Sequence, residues 1–341
     1  MGFSRLLFLI LFSVPLVAVQ DDFNLNIDVK NVNVNVSVFD TNGRPVTKLT
    51  KADFTILENG VPQEIQTFEG VDVPYHILIV VDCSGSTEAD WPLMGKAIDQ
   101  FASALRQQDK VSVVQFGRNM ETLLDWQSPT GNSLRVGMSP HSSTCSSTDF
   151  YGAVSGAVGK FKGISDRERK GVVMLTDGVQ TPFPTERIIV EGHAYNRYAN
   201  GAGDRDFQKA LRDAAKSEVV YYFAAINSDM NPDPISTRGR YGIGLVYNPE
   251  YIYNMQQARS RMMDVAEATG GRVVYPRKPE DIGPLYEGIA KELGTQYGLW
   301  YKPKDSAQSN SAQKRHIEVV VKNMPNAKVV PSRTEYSPSD R

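Results

Sequence analysis

Between residues 76 and 294, short runs of continuous apolar residues alternate with longer amphipathic stretches. The clearest runs are HILIVVD at 76–82, VSVVQF at 111–116, GVVMLTD at 171–177 and VVYYFAAI at 219–226; ETLLDW at 121–126 and RVVYP at 272–276 are weaker. A strand that is apolar at every residue, rather than at every second one, has to be covered on both faces. A mostly parallel sheet flanked by helices meets that demand. Helix-like segments lie near 91–106, 149–162, 205–217, 256–269 and 280–293. In the last of these, Ile282, Leu285, Tyr286, Ile289 and Leu293 share one helical face. The pattern predicts an α/β fold with a doubly wound, mostly parallel sheet. ETLLDW follows VSVVQF after only GRNM, too short for a crossover, so that pair is expected to be antiparallel and at an edge.

The flanks have a different rhythm. VNVNVSV at 32–38 alternates apolar and polar residues, as a strand with one buried face does. DTNGRPV at 40–46 is a turn cluster, and Phe54, Ile56, Val61 and Ile65 around ENG at 58–60 read as a hairpin. So short a β segment cannot bury a sufficient core alone. QYGLWYKP at 296–303, RHIEVVVK at 315–322 and AKVVPSR at 327–333 are also strand-like. The expectation is a small β-sandwich built jointly from N- and C-terminal strands. The division expected is a signal peptide at 1–20, an N-terminal β segment at 21–73, the α/β domain at 74–294 and a C-terminal β segment at 295–341.

Residues 1–20 carry Arg5 and then an apolar stretch too short to span a bilayer comfortably, the layout of a secretory signal. No later segment is long and apolar enough to span a membrane, so export to the periplasm, the cell envelope or the medium is expected. With 37 basic and 39 acidic residues and a net charge of −2, bulk charge offers no nucleic-acid surface. Two cysteines are too few for a disulfide scaffold.

In folds of this class ligands sit beyond the carboxyl ends of the strands. Asp82 and Asp177 fall at two such ends, in DCSGS at 82–86 and LTDG at 175–178. Ser84 and Ser86 follow Asp82 at alternate positions, and Thr148, in CSSTDFYGAV at 145–154, stands just before a predicted helix. Two carboxylates and three hydroxyls form a hard-oxygen set suited to Mg²⁺, alternatively Ca²⁺ or Mn²⁺. The competing reading is that Ser84 and Ser86 cap a helix or turn. Capping accounts for one hydroxyl but not for a second Asp on another strand.

These elements, in this order and context, resemble the von Willebrand factor type A domain over roughly residues 74–294. Its metal-ion-dependent adhesion site is written D-x-S-x-S, then a Thr, then an Asp in a T-D-G context. The flanks, from VNVNVSVFD to PQEIQTF, resemble a bacterial exported subfamily of such proteins. The resemblance implies a Rossmann-like fold in which Ser84, Ser86 and Thr148 bind the metal directly, and Asp82 and Asp177 bind directly or through water. It further implies a coordination position left open for the Asp or Glu of a protein partner, hence adhesion or scaffolding rather than catalysis.

Cys83 and Cys145 each sit in one of these loops; a disulfide between them and a pair of free thiols both fit the sequence. Long segments after two strands, 178–204 and 227–255, are expected as loops on the metal face. Tyr195, Arg197, Tyr198 and Tyr241 in them are candidate partner-binding residues, since Tyr and Arg are the usual interface anchors. Two alternatives stand beside a metal-dependent binding module. One is a structural envelope protein whose metal only stabilises the fold; the other is a metal-dependent hydrolase. Against the latter, DCSGS is not a G-x-S-x-G elbow, and no phosphate-cradling glycine motif is present.

Overall fold

A computed structural model describes residues 32–129, 136, 143–165, 168–181, 185–190, 193–198, 204–226, 249–276, 279–304 and 314–336. The expected signal peptide at 1–20 and the candidate Tyr241 lie outside the described residues.

The chain opens with β1 (Val32–Phe39), β2 (Phe54–Glu58), β3 (Val61–Gln63) and β4 (Ile65–Glu69). It then alternates: β5 (Tyr75–Asp82), α1 (Trp91–Ala104), β6 (Lys110–Phe116), β7 (Met120–Gln127), α2 (Phe150–Gly159) and β8 (Arg169–Thr176). A hairpin follows, β9 (Thr185–Val190) with β10 (His193–Tyr198). After it come α3 (Arg205–Lys216), β11 (Val220–Ala225), α4 (Pro249–Thr269), β12 (Val273–Val274) and α5 (Ile282–Leu293). The chain returns to strands with β13 (Gln296–Tyr301), β14 (Arg315–Val321), β15 (Lys328–Pro331) and β16 (Glu335–Tyr336).

The central sheet runs β12-β11-β8-β5-β6-β7. All its pairings are parallel except β6 with β7, which is antiparallel at the edge. The expected α/β fold with a doubly wound, mostly parallel sheet is therefore present. Strict alternation along β5 sends its side chains into two cores. Ile77, Ile79 and Val81 join Ile98 and Phe101 of α1 and Tyr286 and Ile289 of α5 on one face. Leu78 and Val80 join Phe150, Phe207 and Met262 of α2, α3 and α4 on the other. Each such side chain contributes roughly 1.5–3 kcal/mol when fully buried, so the uninterrupted apolar runs are what make a two-sided sheet stable. The chain leaves β5 toward β6 on one side and later returns to β8 on the other. Asp82 and Asp177 thus flank the point where strand order reverses, the favoured ligand position of such sheets.

The remaining strands form two four-stranded antiparallel sheets, β15-β1-β13-β4 and β16-β14-β2-β3, around a core that includes Val34, Val36, Ile56, Leu299 and Ile317. N- and C-terminal strands interleave, β1 pairing with β13 and β2 with β14. This is the jointly built sandwich that the flanking patterns suggest. The seam with the parallel sheet is fixed by two arginines. Arg169, at the start of β8, donates to Glu69 Oε2 at 3.0 Å and to the carbonyls of Glu69, Gly70 and Gln296. Arg106 donates to the carbonyls of Val71 and Val73 in the connection from β4 to β5.

Three local expectations are corrected. The polar stripe of β1 does not face water: Asn35 is 4% and Ser37 3% exposed. The segment 178–204, expected as a loop, contains the β9–β10 hairpin. Residues 249–255 are not loop either, since α4 begins at Pro249. Among the described residues no helix is long and apolar enough to cross a membrane.

Candidate metal centre

Asp82 ends β5 fully buried. Its Oδ1 accepts the Ser84 N–H at 2.9 Å and its Oδ2 accepts the Thr176 hydroxyl at 2.6 Å. Thr176 is the last residue of the neighbouring β8, so this bond ties the two strand ends together. Asp177 follows immediately and is 2% exposed. Its Oδ1 accepts the Val179 N–H at 3.0 Å, and its Oδ2 accepts the Ser86 hydroxyl at 2.6 Å. Ser84 Oγ lies 3.1 Å from Ser86 Oγ. Ser84 occupies the N-cap position of the short 3₁₀ helix Gly85–Asp90, yet its hydroxyl makes no capping bond. The helix entry is held instead by Thr87, whose hydroxyl donates to the carbonyls of Asp82 and Ser84 and accepts the Trp91 indole N–H.

Thr148, 4% exposed, comes from a separate loop joined to the others at several points. Its N–H donates to the Thr181 hydroxyl at 2.6 Å and its carbonyl accepts the Thr181 N–H at 2.8 Å, four residues past Asp177. Asp149 caps α2 through the Gly152 N–H and also accepts from the Gln180 amide. Cys83 and Cys145 are joined by a disulfide, with Cα atoms 5.1 Å apart. A cross-link of this kind contributes about 2–4 kcal/mol by restricting the unfolded chain. Gly117, just past β6, lets the Thr148 loop come this close: a Cβ there would stand 2.3 Å from the Thr144 carbonyl oxygen. Gly178 has φ +72°, a left-handed conformation suited to glycine, with Met262 of α4 closed over it.

The electrostatics are unusual for carboxylates. Burial, and then the charge of Asp177, pushes Asp82 up from 3.8 to about 7, against the opposing hydrogen bonds of Ser84 and Thr176. Burial likewise raises Asp177, although the Ser86 hydroxyl and the Val179 N–H favour its ionised form. Among the described residues no Lys, Arg or His is ion-paired with either group. Two buried carboxylates sharing a hydrogen-bonded chain of hydroxyls, without a basic side chain, need a proton or a cation from outside. The donor set is all oxygen and so fits a hard divalent ion. No cluster of three or more His, Cys, Asp or Glu occurs among the described residues, which leaves no soft or imidazole-rich competitor there.

Of the candidate partner-binding residues, Tyr195, Arg197 and Tyr198 lie on β10, paired with Ile188, Glu186 and Thr185 of β9. The placement of their side chains, like Tyr241 as a whole, lies outside the described residues. Sequence reasoning missed Thr87, Thr176 and Thr181, whose hydroxyls hold the loops, and Gly117. For Thr176 the signal was present, because it sits beside Asp177 at a strand end. It also missed a buried cluster behind the site: Tyr151 Oη donates to Asp204 Oδ2 at 2.5 Å, and Arg261, 1% exposed, pairs with the same oxygen at 3.3 Å.

Several solved structures overlap this chain. An aerotolerance-related membrane protein from Bacteroides fragilis is 15% identical, with 64% of this chain and 98% of that chain covered and a TM-score of 0.43. The pilus adhesin SpaC from Lactobacillus rhamnosus GG is 10% identical, covering 82% of this chain and 47% of that chain at a TM-score of 0.46. A von Willebrand factor type A structure from Catenulispora acidiphila is 13% identical, covering 83% and 72% at a TM-score of 0.45. A search of curated protein sequences found no match. Residues 77–180, which contain Asp82, Ser84, Ser86, Thr148 and Asp177, match the family model of the von Willebrand factor type A domain.

Proposed function

We propose that this chain is an exported, non-enzymatic protein-binding module of the adhesion or scaffold type, working through a divalent ion at the strand ends of β5 and β8. Asp82, Ser84, Ser86, Thr148 and Asp177 would hold the ion, with Mg²⁺ favoured over Ca²⁺ or Mn²⁺ by the all-oxygen, hydroxyl-rich set. Bound there, the ion supplies an electrophilic position that takes the Asp or Glu carboxylate of a protein partner. The role of the chain is to preorganise. The disulfide and the Thr148–Thr181 bonds fix the loops, and the Asp82–Thr176 bond fixes the strand ends. The Tyr and Arg residues of β10, and Tyr241, would supply partner contacts around the ion.

The observation that carries this reading is the pair of buried carboxylates, Asp82 and Asp177, brought together without a basic partner among the described residues. The match of residues 77–180 to a domain family of protein-interaction modules supports it. Calorimetric titration of the full chain with MgCl₂ tests the ion: uptake of one ion is expected, and Ser84→Ala should weaken it. Absence of divalent-ion uptake by the folded protein overturns the reading. Pull-down from an envelope extract in Mg²⁺ against EDTA tests the bridge. Capture that persists unchanged in EDTA would leave the ion a purely structural role.

A further inference from the structure

The buried cluster behind the strand ends joins three helices. Tyr151 lies in the first turn of α2, Asp204 is the N-cap of α3, and Arg261 belongs to α4. All three are buried, at 7%, 5% and 1% exposure. Asp204 takes the Tyr151 hydroxyl and the Arg261 guanidinium on Oδ2 and the Phe207 N–H on Oδ1. The guanidinium carbon stands 5.5 Å from the centre of the Tyr151 ring and 5.8 Å from that of Phe207. A buried ion pair adds little net stability over apolar residues of the same volume. What it adds is direction, since each bond holds at one geometry only. We propose that Tyr151, Asp204 and Arg261 are positioning residues of the metal centre: the triad sets where Thr148 stands relative to the ends of β5 and β8, and so sets the affinity for the ion.

The routes from the triad to the ligands are short. Tyr151 is three residues past Thr148, and its N–H donates to the Gln180 amide oxygen at 3.1 Å, three residues past Asp177. Gln180 in turn donates to Asp149. The chain leaves the site at Thr181, which is bonded to Thr148, forms the β9–β10 hairpin, and returns at Asp204, which is bonded to Tyr151. Both feet of that excursion therefore land on residues 148–151. The other side is reached through α4. Met262, next to Arg261, packs on Gly178, where an added Cβ would stand 3.0 Å from its Cε. The Gly178 N–H donates to the Thr176 hydroxyl at 2.9 Å, and that hydroxyl donates to Asp82. Arg261 thus anchors to α2 and α3 the helix that covers the Asp177 turn.

The inference rests on the metal-centre reading for what the positioned groups hold, and the test keeps the two apart by pairing two tyrosines. Tyr151→Phe removes one hydroxyl from the Asp204–Arg261 pair. Tyr301→Phe removes one from the Glu58–Arg315 pair of the sandwich, where Tyr301 Oη donates to Glu58 Oε2 at 2.7 Å. Both variants keep the buried ring. In calorimetric titration of the full chain with MgCl₂, Tyr151→Phe should weaken uptake by about tenfold, the low end for residues that orient ligands from behind. Tyr301→Phe should leave it at the wild-type value. Hydrogen exchange in EDTA gives a readout without the ion. Amides of residues 148–151 and 176–181 should exchange faster in Tyr151→Phe than in Tyr301→Phe. Mg²⁺ affinity in Tyr151→Phe equal to wild type overturns the proposal. So does equal weakening in both variants, or exchange of those amides no faster than in Tyr301→Phe. A wild-type chain that takes up no Mg²⁺, with exchange that still responds to Tyr151→Phe alone, sinks the ion and leaves the triad as the element that positions the Thr148 loop.

Discussion

Glu58 in the sandwich and Asp82 in the parallel sheet are both buried carboxylates, and the chain surrounds them in opposite ways. Glu58 receives a guanidinium: Arg315 Nη1 lies 2.5 Å from its Oε1, while the hydroxyls of Tyr301 and Tyr336 donate to its Oε2 at 2.7 Å. Asp82 receives a backbone N–H and a hydroxyl, and its nearest charged neighbour is another acid, Asp177. The sandwich network is closed, with its counter-charge built in. The strand-end network lacks positive charge among the described residues. Buried charge that merely holds a fold together tends to bring its own partner, because an unpaired one costs several kcal/mol. A buried acid pair without one has to take up a proton or a cation, the demand that the proposed ion would meet.

The largest expected effect lies on the closed side. Arg315→Met strands Glu58 in the sandwich and should cost about 3–5 kcal/mol in urea unfolding, whether or not Mg²⁺ is present. A loss that Mg²⁺ reverses would erase the contrast between the two sites.

The open side should show itself through pH. The folded pKa of Asp82 is raised from 3.8 to about 7. Between those values the folded protein holds a proton that the unfolded chain has released, so stability falls as pH rises. The metal-free protein should lose on the order of 3 kcal/mol from pH 4 to pH 7, and saturating Mg²⁺ should flatten that slope. Thermal melts across this range, with and without EDTA, decide the matter. A metal-free protein most stable at pH 7 would break the comparison.

The smallest effect calibrates both. Lys209 and Asp213 form an i,i+4 pair on α3 at 2.8 Å, with side chains 68% and 39% exposed. Lys209→Ala should change stability by no more than about 0.5 kcal/mol, as solvent-screened pairs do. A loss as large as that of Arg315→Met would mean that burial is not what separates the two networks.

What could be read from the sequence followed periodicity and spacing. The continuous runs that became β5, β6, β8 and β11 announce themselves because burial on both faces leaves no polar position. The alternate spacing of Asp82, Ser84 and Ser86 is equally visible, since a single loop supplies all three. Thr87, Thr181 and Gly117 were not legible. Thr181 and Gly117 act on a loop distant in sequence, and Thr87 on the carbonyls of Asp82 and Ser84 in its own turn; no apolar period encodes either kind of contact. The β1 stripe misled for a related reason. Its Asn and Ser residues have the composition of a solvent face, but here that face meets the seam, and the alternation cannot say what covers it. The β9–β10 hairpin had a signal that was passed over, the β-branched run Ile188–Val190 before a Gly at 192.

The interleaving of β1 with β13 and of β2 with β14 also has a kinetic consequence. β1 and β4 have no partner until β13, more than two hundred residues later, and β2 can pair at first only with its neighbour β3, so the parallel sheet can fold while the sandwich cannot. Assembly of the sandwich then serves as a completion step. A chain interrupted before residue 296 would leave the valines of β1 exposed as an unpaired edge, open to aggregation or proteolysis.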